Sequence, residues 1–175
     1  MERYLAGLKA GRSFVTNGPL LDFRVGAVEP GGVITATESP AEWTLSVAST
    51  VPFERVEVLV NGEVVWTGEG LKEAGTRTYR GTATPPAGGW IAARIQGGVT
   101  TWPAMDSYPF AHSAPVWFGA IGSIDRTAAR RAASDLLAAL KVAEGRVQQA
   151  YTETPGKTLL GRIADARQKL AELTR

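Results

Sequence analysis

The side chains able to do chemistry are few, and several lie close together in the chain. His112, the only histidine, stands in Pro109-Phe110-Ala111-His112-Ser113-Ala114-Pro115-Val116-Trp117, a proline-flanked loop leading into a strand. An imidazole there can serve as general base, ligand or substrate contact, and it can equally tie the loop down by hydrogen bonds. Asp106 and Ser107 are near enough to sketch an Asp-His-Ser hydrolase with Ser107 or Ser113 as nucleophile. No Gly-x-Ser-x-Gly elbow accompanies them, and neighbours within one loop rarely reach triad geometry. Cysteine is absent, which removes disulfides, thiolate zinc sites and cysteine nucleophiles. One histidine cannot build a His-rich metal centre, so no cofactor is expected in this chain.

Two further groups carry chemistry of recognition. The five tryptophans, Trp43, Trp66, Trp90, Trp102 and Trp117, suggest stacking on sugar rings. Four of them stand in strand-like runs where aromatics pack into a core, which leaves Trp102, in a loop beside Pro103, as the ligand-binding candidate. Gly11-Arg12-Ser13-Phe14-Val15-Thr16-Asn17-Gly18-Pro19 must form a tight turn, with Thr16 and Asn17 able to bond backbone or ligand. Gly31-Gly32 and Gly97-Gly98 lack the strand-loop-helix setting of a phosphate cradle.

These residues have to be positioned by two compositionally different stretches. Residues 1–120 hold 16 of the 20 glycines, 9 of the 10 prolines and all the tryptophans, whereas residues 121–175 hold 10 basic against 6 acidic side chains and no tryptophan. Leu21 to Val25 and Trp43 to Val47 alternate apolar and polar residues, as half-buried strands do. Val56 to Val60 runs through Asn61-Gly62 into Glu63 to Trp66, and Asn-Gly between β-branched runs predicts a type I′ hairpin. Arg77 to Thr84, Trp90 to Gln96 and Ala114 to Phe118 bring the expected strands to roughly seven. Glu2 to Ala10 reads as a short helix stopped by Gly11.

After Gly122 the period changes from two to about 3.6. Ala133, Leu136, Leu137, Leu140, Ala143 and Val147 form one stripe, with Ser123 or Asp125 as N-cap, and Leu159, Ile163, Leu170 and Leu173 form another after Thr154-Pro155. A short connection makes this an antiparallel hairpin whose apolar stripe must bury against something. The fold class is therefore mainly β: an immunoglobulin-like β-sandwich with a short N-terminal helix and a C-terminal α-helical hairpin. The net charge of +2 is weak support for a nucleic-acid partner, and none is expected. No apolar run is long enough for a membrane span, and no signal-peptide pattern opens the chain, so the compartment stays open.

Tyr4 to Leu21, with its Ala10-Gly11-Arg12-Ser13-Phe14-Val15-Thr16-Asn17-Gly18-Pro19 centre, resembles the segment that follows the catalytic domain in CehA/McbA-type metallohydrolases of the polymerase-and-histidinol-phosphatase (PHP) superfamily. The Val60-Asn61-Gly62-Glu63-Val64-Val65 hairpin, Gly89-Trp90-Ile91-Ala92-Ala93-Arg94, and Ala111-His112-Ser113-Ala114-Pro115-Val116 are similar to the family as well. The last of these departs from the family's Thr-Ser at Ser113-Ala114. The resemblance implies a non-catalytic C-terminal accessory domain, inactive alone, of a phosphoesterase-like or carbamate-ester-hydrolase-like enzyme. It implies an upstream catalytic domain as partner, which would hold the divalent metal. Arg12, Thr16, Asn17, His112 and Ser113 are then the candidates for the domain junction or substrate access. The expected organisation is residues 1–12 as the junction helix, residues 13–122 as the sandwich, and residues 123–175 as a helical hairpin packed on it, with the hairpin also a candidate homo-oligomer contact. The alternative from another class is a secreted immunoglobulin-like module that binds carbohydrate or protein.

Overall fold

The computed structural model describes residues 2–35, 40–84, 88–100, 107–151 and 154–174. The chain divides into a unit ending at Ile124 and a unit beginning at Asp125. The first contains helix α1 (Glu2–Lys9) and strands β1 (Phe14–Thr16), β2 (Leu20–Val25), β3 (Val33–Ile34), β4 (Ala41–Ser49), β5 (Arg55–Val60), β6 (Glu63–Glu69), β7 (Gly75–Ala83), β8 (Trp90–Gln96), β9 (Phe110–Ser113) and β10 (Val116–Phe118). The second is a pair of helices, α2 (Arg126–Ala150) and α3 (Thr154–Leu173).

Local sequence explains most of the boundaries. Gly11 ends α1 in the left-handed region at φ 70°. The amides of Gly11 and Arg12 then reach back to the carbonyls of Leu8 and Gly7 at 3.0 and 2.9 Å, the paired bonds of a Schellman cap. Asn61 and Gly62, at φ 50° and 89°, supply the two positive-φ residues of the β5–β6 turn. Asp125, rather than Ser123, is the N-cap of α2, and its carboxylate accepts the Ala128 amide at 3.0 Å.

Two sheets result. The smaller runs β2-β4-β7, antiparallel throughout. In the larger, β6 pairs with β5 and β5 with β8, whose other side is taken by β9 along its second half and β10 along its first. Strand β1 then adds antiparallel to β9, and β3 adds parallel to β10. The expected strand from Ala114 to Phe118 begins only at Val116, and the loop expected before it, with His112, is itself strand β9; Ala114-Pro115 separates the two because proline has no N–H for the ladder, so strand pairing stops and restarts.

Inward positions from both sheets meet in one core. Leu21, Phe23 and Val25 of β2 and Trp43, Leu45 and Val47 of β4 face Val56, Val58 and Val60 of β5 and Ile91, Ala93 and Ile95 of β8. Every second residue is inward, as the two-residue period of a strand requires. Trp43 is fully buried, and Trp66 packs on the core edge with its ring centroid 4.9 Å from that of Trp43. Trp90 and Trp117 are half-buried and belong to the opposite face of the larger sheet, where they are cross-strand partners. This corrects the expectation of core packing for them: each alternates with an inward neighbour, Ile91 or Val116.

Trp43 lies over Gly81, its cross-strand partner on β7, so closely that a Cβ there would sit 2.5 Å from the indole Cζ2. Gly81→Val should therefore lower stability by about 1–3 kcal/mol through overpacking, read as a lower urea midpoint. An unchanged midpoint would show that the indole has room to move.

Candidate functional site

The turn after β1 places the first candidates. Thr16, the last residue of the strand, donates its hydroxyl to the Pro19 carbonyl at 2.5 Å and accepts the Gly18 amide at 2.9 Å, closing the turn on itself. Asn17 continues the ladder by other means. Its backbone amide donates to the Phe110 carbonyl at 3.1 Å, its side-chain Oδ1 accepts the Phe110 amide at 2.7 Å, and its Nδ2 donates to the Tyr108 carbonyl at 2.9 Å. The side-chain amide thus stands in for one more peptide group and fastens β1 to the start of β9. Thr16 and Asn17 also line an open depression of about 430 Å³ with Ser107, Tyr108 and Phe110.

His112 and Ser113 are adjacent on β9 and point to opposite faces. Ser113 is buried, and its hydroxyl accepts the Ala93 amide at 3.0 Å. His112 is half-buried on the outward face, with Arg94 and Val15 as cross-strand partners. Its Nδ1 lies 2.7 Å from the Ser113 carbonyl. A carbonyl only accepts, so Nδ1 is the donor in this contact. A Ser113–His112 dyad is excluded by this alternation. Arg12 is exposed and lines a separate, smaller cavity of about 200 Å³ with Asp22 and Glu29 among its walls. The five described candidates are therefore spread over the turn, the two faces of β9 and that cavity. Trp102 and Asp106 lie outside the described residues.

A feature that sequence reasoning missed sits beside His112. Glu57, on the outward face of β5, is only 6% exposed. It accepts Arg55 Nε at 2.8 Å, Arg94 Nε at 2.7 Å and the Gln96 amide at 3.2 and 3.3 Å. Burial raises the carboxyl pKa, but the bonds and charges of Arg94 and Arg55 outweigh it, and the net shift is downward from the ordinary 4.5. Two guanidiniums, those of Arg55 and Arg94, therefore converge on one carboxylate. No group of three metal-ligating side chains occurs among the described residues.

No protein-family model matches the chain, and no curated protein matches it either.

Two substitutions test these assignments. Asn17→Ala removes two side-chain bonds and should cost about 1 kcal/mol, with faster hydrogen exchange at the Phe110 amide. Exchange unchanged at Phe110 would detach Asn17 from β9. Because the folded pKa of Glu57 is depressed, its contribution is complete above pH 4.5 and disappears as pH falls towards the folded value. Glu57→Gln should therefore make the acid loss of stability shallower than in the native chain, and an equally steep loss would rule out this linkage.

Proposed function

We propose that the chain is a non-catalytic, immunoglobulin-like accessory domain of a CehA/McbA-type, PHP-superfamily metal-dependent hydrolase, docked on the catalytic domain through α1 and the edge strand β1. The observation that carries this reading is the state of α1. Its cap is well formed, yet none of its residues is buried, and Tyr4, Leu5 and Leu8 are 67%, 48% and 46% exposed. An isolated helix of two turns is marginal in water, so an apolar face of this kind is stabilised by a partner. On the edge strand β1, Phe14 and Val15 are exposed as well, one on each face.

The strand order supports the immunoglobulin-like part of the reading: three antiparallel strands cover a sheet whose centre is β5 and β8. The bonding of Thr16 and Asn17 supports a scaffolding role for the motif. In this proposal the divalent metal is held by the catalytic domain. His112 and its cross-strand partner Arg94 would border the approach to that domain.

The test is to mix the chain with a CehA/McbA-type catalytic domain expressed without its own C-terminal region. The isolated chain should show no phosphoester or carbamate-ester turnover with added zinc or manganese. Leu5→Glu/Leu8→Glu should weaken its binding to the catalytic domain at least tenfold. Metal-dependent turnover by the chain alone, or binding indifferent to the double substitution, would overturn the proposal.

A further inference from the structure

Helix α2 carries two apolar seams, where a simple hairpin needs one. The first follows spacings of four and three through Ala133, Leu137, Leu140, Glu144 and Val147, all at least half-buried, and faces α3, whose Arg167 pairs with Glu144. The second runs through Ala129, Ala132, Leu136, Ala139 and Ala143, about 80° around the helix. It is largely exposed, with Leu136 at 53%.

Helix α3 repeats the arrangement. Ile163 and Leu170 lie towards α2, while Leu159, Ala166 and Leu173 continue outward, with Leu173 57% exposed. In an antiparallel pair of right-handed helices, these two outer seams turn to the same side of the hairpin. The other side is polar, with Ser134, Lys141 and Gln148 on α2 and Lys157 and Gln168 on α3. Ala133 is the one fully buried residue of α2.

We propose that this face is a homodimerisation surface on which two copies of the chain pair their hairpins into a four-helix bundle. A helix in such a bundle touches two neighbours and needs two adjacent seams, which is the pattern α2 shows. The occupant must also be helical. Alternation of alanines with single leucines at three- and four-residue spacing makes shallow grooves that accept the ridges of another helix at an axial distance of about 8–10 Å. The chain supplies two of the four helices, and a second copy supplies the rest. The hairpin face is about 30 Å long and 20 Å wide. Two such faces bury on the order of 1,200 Å², the area at which specific association begins.

Sedimentation equilibrium of the whole chain tests this up to about 100 μM, since the population of a dimer depends on protomer concentration. Twice the chain mass is expected. Leu136→Glu/Leu173→Glu should raise the dimer dissociation constant at least about 100-fold by placing charges in the seam, with helical circular dichroism retained. Val142→Glu, on the exposed flank of α2 away from α3, should leave it unchanged. A monomer at the highest concentration, a dimer indifferent to the double substitution, or equal loss with Val142→Glu overturns the proposal. If the double variant loses its helices, spin labels decide. The chain has no cysteine, so Ala139→Cys and Val142→Cys each give a single label, and the distance between copies must be shorter at 139 than at 142. The reverse order, or no coupling between copies, overturns it.

Discussion

The relative setting of the two sheets depends on an aromatic interlock at one side of the core. Trp43 comes from the smaller sheet, Trp66 from the larger and Tyr79 from the smaller again, with edge-to-face contacts at centroid distances of 4.9 and 5.8 Å. The Tyr79 hydroxyl then crosses to the Glu69 carbonyl of β6 at 2.7 Å. Trp66 reaches this position because β6 is irregular: pairing with β5 shifts between Val58 and Leu59. Trp66 lies opposite inward Val58, whereas Val64 lies opposite outward Leu59, and the extra residue, Val65, changes the side on which the strand presents its side chains. The small residues on either side, Gly81 under Trp43 and Gly68 under Trp66, leave space for the indoles. Trp43 Nε1 has no hydrogen-bond partner among the described residues, a cost of about 1–3 kcal/mol that the surrounding packing offsets.

What could be read from the sequence was whatever depends on near neighbours. The stop at Gly11, the Asn61-Gly62 turn, the period change after Gly122 and the existence of most strands all follow from backbone conformation or spacing within a few residues. Contacts that need register could not be read. Glu57 meets Arg94 and Gln96 only because β5 pairs with β8 in one alignment, and nothing in Val56-Glu57-Val58 specifies that alignment. The orientations of Trp90 and Trp117 failed for a related reason. A strand flanked on both faces by large side chains gives no alternation to say which tryptophan is inward.

The candidate site was legible as a set of unusual residues and illegible as a geometry. Thr16 and Asn17 were distinctive because they make a particular turn, and in the structure their polar atoms are engaged in making it. His112 and Ser113 are neighbours in sequence, but a strand separates them by one sheet thickness. The same logic makes the exposed features more informative than the polar ones. The two proposals rest on such features, an uncovered helix face at one end of the chain and a one-sided hairpin at the other.

The break at Pro115 has a consequence beyond local pairing. By dividing that side of the larger sheet between β9 and β10, it leaves two edge strands of three and two residues, β1 and β3, in place of one long one. A short edge offers too few free backbone groups to template another chain. The opposite edge, β6, is bent by its irregular pairing, and the nine-residue edge β7 carries Arg77 and Arg80. Three of the four borders of the two sheets are thus guarded against sideways polymerisation by different devices, while β2, the other edge of the smaller sheet, presents Asp22 and Arg24 outward over six residues. In a protein rich in β structure, short, bent or charged edges of this kind oppose edge-to-edge association of the sheets.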